Sequence, residues 1–158
     1  MGHGAESNPQ EESSDPSLVM NSGLSLLRSS PARLSPAQLR ELSPLALAYL
    51  GDAVYELFIR SQYLFPPQRL QTYHQQVVSQ VRAEQQAHHL QTLLPHLTPA
   101  EAEILRRGRN ATTRRRPRAG AAVYQQATSL ETLVGYLYLT DPARLDELLG
   151  HLNLEGAG

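Results

Sequence analysis

LALAYLGDAVYELFIRSQ, residues 45–62, is an apolar run of helical length interrupted by two acids, Asp52 and Glu56. Apolar residues fall on almost every face of such a helix, and a helix that is hydrophobic all round is normally buried in the middle of a domain. An ionised carboxylate taken out of water is strongly unfavourable unless a cation or a hydrogen-bond network meets it. The stretch therefore predicts a central helix, and Asp52 on it requires a partner.

Working outward, Ser35-Pro36 and Ser43-Pro44 each read as an N-cap followed by proline at the first helical position. They predict a short helix ahead of the central one. After Gln62, Tyr63-Leu64-Phe65-Pro66-Pro67 must leave helix, because two prolines remove donors and restrict the residue before them. A bend with packed aromatics is expected. From Leu70 to Leu94, Tyr73, Val77, Val78, Val81, Ala87, Leu90, Leu93 and Leu94 recur at helical spacing, which predicts two amphipathic helices or one that bends. His74, His88, His89 and His96 fall here or just beyond, without the spacing of a known helical metal motif, and read as polar-face residues.

Thr98-Pro99-Ala100-Glu101 is a capping box that opens a helix expected to end at Gly108. Arg106 and Arg107 in its last turn suit the negative end of the helix dipole. That explanation stops at Gly108, and residues 109–120, with five arginines and no periodicity, read as a mobile basic loop. Apolar periodicity returns from Val123 to Leu139 in a second nearly all-apolar helix, which holds one central acid, Glu131, and Gly135 a turn later. A glycine there lets another helix backbone approach closely. Asp141-Pro142 opens a last amphipathic helix through Leu152, and no period-two pattern occurs, so the fold class expected is all-α.

The 158 residues suffice for one domain with a core. Residues 1–31, rich in Ser, Gly, Pro and Glu, read as a disordered leader, a solvated tail in preference to a short apolar clip made by Leu24, Leu26 and Leu27. The folded domain is expected over 32–153 and a frayed tail over 154–158. Cysteine is absent, which excludes a disulfide framework or thiolate metal site and suits a cytoplasmic protein. No apolar run reaches the roughly 18 residues that span a bilayer, so no membrane association is expected. All 14 basic residues are arginine, and seven of them lie between Arg106 and Arg118, so the net charge of −1 hides a concentrated basic segment.

If the two apolar helices cross near Gly51 and Gly135, Asp52 and Glu131 face one another. Adjacent carboxylates repel and raise one pKa unless a divalent cation lies between them. Oxygen-only ligands with room for water favour magnesium, with manganese as a substitute, and such an ion positions a phosphate and generates the attacking hydroxide. That reading is phosphodiester hydrolysis. The residues alone leave open a plainer one, in which the acids reach solvent or pair with Arg60 and Arg69.

Asp52 in Tyr-Leu-Gly-Asp-Ala-Val and Glu131 in Ser-Leu-Glu-Thr-Leu-Val-Gly-Tyr-Leu-Tyr-Leu resemble the two acidic motifs of the ribonuclease III catalytic domain. Arg-Arg-Gly-Arg-Asn-Ala at 106–111 is similar to the signature of its compact branch, mini-ribonuclease III. The resemblance covers about residues 43–150. It implies an all-helical homodimer that cuts double-stranded RNA with magnesium held by Asp52 and Glu131. Where the larger family has further acids, this chain has Leu45, Ala48 and Thr128, which agrees with the compact branch and leaves fewer metal ligands. Glu56 matches the branch pattern and takes a supporting role.

No double-stranded RNA-binding domain is expected after the last helix, and the domain is expected to grip RNA itself. Arg106, Arg107, Arg109, Asn110, Arg114, Arg115, Arg116 and Arg118 are the candidate contacts. Arginine suits phosphate and the 2′-hydroxyl-lined minor groove of A-form RNA. The compact branch implies maturation of the large-subunit (23S) ribosomal RNA precursor, with a ribosome assembly intermediate as substrate. The alternative of another class is a non-catalytic double-stranded RNA-binding module on the same scaffold.

Overall fold

The computed structural model describes residues 34–112 and 120–156. The expected leader lies outside them, as do Arg114, Arg115, Arg116 and Arg118. Contacts divide the chain between Arg33 and Leu34, and the helical unit begins at Leu34. Its elements are α1 (Pro36–Glu41), α2 (Pro44–Gln62), α3 (Leu70–Val81), α4 (Ala83–Leu93), a 3-10 turn (Leu94–His96), α5 (Pro99–Ala111), α6 (Ala121–Thr140) and α7 (Pro142–Leu149). Among the described residues there is no strand, so the fold is all-α as expected. No helix among them is long and apolar enough to cross a membrane.

The caps act as their sequences require. Ser35 and Thr98 form complete capping boxes with Gln38 and Glu101, Ser43 accepts from the Ala46 amide, and each of these helices begins with proline. Each cap satisfies N-terminal amides that a helix leaves without intrahelical partners. Glu101 has a second task. Its oxygens accept from Arg144 Nε at 2.8 Å and Nη2 at 3.1 Å, while Arg144 Nη2 also donates to His96 O at 2.6 Å. One partly buried ion pair thus ties α7 to the start of α5.

Helices α2 and α6 form the centre, and their contact is backbone on backbone. A Cβ built on Gly51 would lie 1.8 Å from Glu131 O, and one on Gly135 would lie 2.0 Å from Leu47 O. No side chain fits at either place, so the two glycines set the crossing. Around it, Val54, Tyr55, Ile59, Leu130, Leu133, Val134 and Leu137 form the core with Leu90, Leu93, Leu105 and Leu148. Thr132 adds a polar tie, its hydroxyl donating to Thr128 O at 2.7 Å and to Pro44 O at 3.2 Å.

Several expectations need correction. Helix α2 is not buried all round: Leu45, Tyr49, Asp52, Ala53 and Leu57 form an exposed face, with Tyr49 85% exposed. Its apolar content therefore exceeds what this chain's own core uses. Helix α5 does not stop at Gly108 but continues to Ala111. Gly108 is buried inside it, and a Cβ there would lie 2.5 Å from Thr132 Oγ1, so this glycine serves a second close helix approach. Arg109 and Asn110 are consequently helical and not part of a loop. In the bend after α2, Tyr63 is buried but Leu64 and Phe65 are exposed. At the other end, where fraying was expected, Leu154 is buried and the Tyr63 hydroxyl donates to Glu155 O at 2.7 Å.

Candidate active site

Glu131 projects from the middle of α6 at the glycine crossing, where its own carbonyl faces Gly51. It is half-buried, and burial pushes its carboxyl up to about 7, with the charge of Asp52 adding and a hydrogen bond from the Gln86 amide opposing. Asp52, next along α2 from Gly51, is exposed, yet it too is raised, first by loss of water around its carboxyl and then by the charge of Glu56. The fold thus brings Asp52 close enough to Glu131 for its charge to be felt there. Among the described residues neither forms an ion pair.

The pairing with Arg60 that the residues left open goes elsewhere. Arg60 donates to Glu56 Oε1 from Nε at 3.1 Å and from Nη2 at 2.5 Å. Such an exposed pair one helical turn apart contributes little to stability. Glu56, the expected supporting acid, is therefore engaged with Arg60 and acts on Asp52 through its charge. The positions at which the larger family carries further acids supply no ligand here: Ala48 and Thr128 are buried.

No group of three or more histidines and acids that could hold a metal occurs among the described residues. His89 is buried and lies in a hydrogen bond between its Nδ1 and the Tyr55 hydroxyl, and its Nε2 is 3.1 Å from Gln85 Nε2. Burial pushes its pKa down to about 4, so the ring is neutral at ordinary pH. One tautomer satisfies the whole set. Gln85 donates to Nε2, Nδ1–H donates to Tyr55, and the tyrosine hydroxyl is left to donate to Gln80 O at 3.5 Å. His96 stacks on His151 with ring centroids 3.7 Å apart. The donor set at the crossing is therefore two carboxylates. Hard oxygen ligands with open positions fit a hydrated magnesium ion, which is commonly held by one or two carboxylates.

Of the candidate RNA contacts, Arg106, Arg107, Arg109 and Asn110 line the C-terminal half of α5 and are exposed. Arg106 is paired with Glu103, from Nη2 at 2.6 Å and Nε at 2.7 Å. Gly108 seats α5 against Thr132, the residue after Glu131, so this basic turn is anchored on the helix that carries Glu131. Sequence reasoning missed the buried polar residues behind the site. Gln86, His89 and Tyr55 are each 2% exposed or less. Their signal was faint: Gln86 occupies the same helical stripe as Leu90 and Leu93, a core position in an otherwise glutamine-rich segment.

The chain matches the Ribonuclease III domain family over residues 45–142. It is 58% identical over 127 residues to a mini-ribonuclease 3 of Synechocystis sp., covering 78% of this chain and 89% of that protein. A mini-ribonuclease 3 of Clostridium tetani is 34% identical over 116 residues, covering 70% of this chain and 76% of the other. Among solved structures, a crystal structure of a protein from Fusobacterium nucleatum superposes with a TM-score of 0.63 at 30% identity, covering 70% of this chain and 92% of that one.

Proposed function

We propose, from the premise that the chain belongs to the ribonuclease III family and to its mini-ribonuclease 3 group, that this endoribonuclease cuts double-stranded RNA with a divalent ion held by Asp52 and Glu131. The observation that carries the reading is the site at the glycine crossing. Two acids share it, both raised by lost water and by neighbouring negative charge, with no cation on either among the described residues. A divalent ion removes that repulsion. Magnesium, with manganese as substitute, would be the ion, and bound there it would supply Lewis-acid stabilisation of the phosphate and an activated water.

The residues of the chain have their own parts. Glu131, fixed at the crossing, and Asp52, open to solvent, hold the ion where a phosphodiester can reach it. Glu56 adds negative charge behind Asp52. Arg106, Arg107, Arg109 and Asn110 meet phosphate and 2′-hydroxyl groups, and Arg114, Arg115, Arg116 and Arg118 extend that contact. The exposed apolar face of α2 supports a homodimer, and a duplex offers two strands to two sites. The substrate we infer is the large-subunit (23S) ribosomal RNA precursor in an assembly intermediate, in the cytoplasm.

The test incubates the purified protein with a structured precursor RNA, with and without magnesium. Asp52→Asn and Glu131→Gln are each expected to abolish cleavage while leaving RNA binding close to that of the wild type. Cleavage that persists in either variant overturns the mechanism. Tight, salt-sensitive binding with no cleavage by the wild type under any divalent ion decides for a binding module.

A further inference from the structure

Away from the acidic crossing, the end of α3, the start of α4 and the segment after α7 enclose an open cleft of about 360 Å³. Small-molecule sites run from about 300 to 1,000 Å³ and are lined mostly by apolar side chains. This cleft has the size but no apolar residue in its wall. Gln80, Gln85 and Asn153 bring carboxamides to it, Arg82 and His88 a guanidinium and an imidazole, and Glu155 a carboxylate. Among the described residues, the side chains of Arg82, His88, Asn153 and Glu155 form no hydrogen bond or ion pair with another residue. Arg82 and Glu155 thus line one cleft without meeting, which leaves its middle open.

The back of the cleft is fixed from the core. Gln85 Nε2 donates to His89 Nε2 at 3.1 Å, His89 bonds on to the Tyr55 hydroxyl, and that hydroxyl donates to Gln80 O at 3.5 Å. Two residues of the wall are thereby tied to one tyrosine of α2. Tyr55 follows Asp52 by three residues, just under one turn of the same helix.

We propose that this cleft is a nucleotide site: the carboxamides of Gln85 and Asn153 read the edge of one unpaired base of the RNA, His88 stacks on it, and Arg82 meets its phosphate. The inference rests on the chain's being an endoribonuclease and not on the metal reading given above. A carboxamide carries a donor and an acceptor side by side, which suits the Watson–Crick edge of a base, and that edge is free only where the base is unpaired. Imidazole and guanidinium planes are stacking surfaces for such bases. Glu155 disfavours a bare anion in the same place and accepts from an exocyclic amine or a ribose hydroxyl. The cleft has room for one nucleotide and none for a duplex. Because its wall is tied to the helix of Asp52, a nucleotide seated there fixes the register of the strand against the acidic crossing.

The test measures RNA binding by the full chain in the presence of a chelator, so that binding is read without cleavage. The probes are a fully paired hairpin and the same hairpin with one unpaired nucleotide walked along a strand. At one position the unpaired nucleotide should tighten binding about tenfold, within the range that one stacked base contributes. His88→Ala and Asn153→Ala should each remove most of that gain and bind the fully paired hairpin as the wild type does; both side chains are exposed, so the fold should tolerate their loss. Should either variant fail to fold, Arg82→Gln carries the same expectation and the same refutation. The proposal is overturned if no position of the unpaired nucleotide tightens binding, or if the gain survives in the variants. Equal weakening on the fully paired hairpin overturns it too, since that marks an ordinary backbone contact. A nucleoside monophosphate that binds as tightly as the RNA would assign the cleft to a free nucleotide and likewise overturn it. With magnesium added, the wild type should cut at a fixed distance from the unpaired nucleotide, and the variants should cut without that bias. Failure of the metal reading looks different: cleavage fails or ignores Asp52→Asn, while the binding pattern in chelator stands.

Discussion

Glu131 combines a position at a backbone contact with a carboxyl that burial holds near neutral pH. The sign of its effect on folding follows. Below about pH 4.5 the group is protonated in both states and contributes nothing. Between about 4.5 and about 7 the unfolded chain has released the proton and the folded chain has not, so stability falls as pH rises through that window. His89 works in the opposite direction. Its pKa is pushed down to about 4, so between about 4 and 6.5 the unfolded chain is the one that binds the extra proton, and stability rises with pH. The two slopes offset one another in the wild type, and only a variant separates them. In metal-free buffer, Glu131→Gln is expected to gain stability over the wild type as pH is raised from about 4.5 to about 7.5. Each tenfold difference in proton affinity between the folded and unfolded chain corresponds to about 1.4 kcal/mol, and solvent reaching a half-buried group reduces this, so the gain should be about 1–2 kcal/mol. Urea midpoints at the two ends of the range measure it. A difference that does not change with pH would mean that Glu131 titrates normally.

The helices are placed by glycines, and the three glycine contacts should rank by what a methyl group would strike. At Gly51 and Gly135 it would strike backbone, at 1.8 Å and 2.0 Å, and backbone in two packed helices cannot give way locally. Gly51→Ala and Gly135→Ala should each destabilise by about 3 kcal/mol or more, at or above the usual range for overpacking. At Gly108 the nearest atom is a side-chain hydroxyl, Thr132 Oγ1 at 2.5 Å, so Gly108→Ala should lose less, about 1–2 kcal/mol. Chemical denaturation followed by circular dichroism gives the order, and Gly108→Ala as the worst of the three would contradict it. The crossing was legible in the sequence because Gly51 and Gly135 stand close to acids on the two most apolar runs. Gly108 was not, because a glycine after two arginines at the end of an amphipathic stretch has the pattern of a C-cap. The open face of α2 was not legible either, since an apolar residue that stays exposed looks the same in sequence as one that meets the chain's own core. Gln86 left no pattern because it acts on a neighbour far along the chain, on α6 and not on its own element.

At the scale of the molecule, two surfaces among the described residues bear on the proposed function, the apolar face of α2 and the basic turn of α5. On α2, Leu45, Tyr49 and Leu57 are 48%, 85% and 40% exposed, an arrangement that a second copy of the chain would cover about a two-fold axis. Symmetry makes a charge there act twice, since each copy presents it to the other. Tyr49→Arg should therefore sediment as a monomer at micromolar concentration with unchanged helical content, and a dimer that persists would remove this face from the interface. The basic surface is tested by salt. Each phosphate contact that releases a counterion adds about 0.9 to the slope of log affinity against log salt on a duplex such as B-form DNA. Arg107 and Arg109 are both exposed on α5, on the turn that Gly108 fixes against the helix carrying Glu131, so they should make such contacts whatever the sequence of the RNA. Replacing both with alanine should lower the slope by about 2, weaken unrelated duplexes to the same degree, and leave kcat nearly intact, because neither group touches the ion. A loss confined to one RNA sequence would instead assign these arginines to reading bases, which the deep, narrow major groove of A-form RNA disfavours.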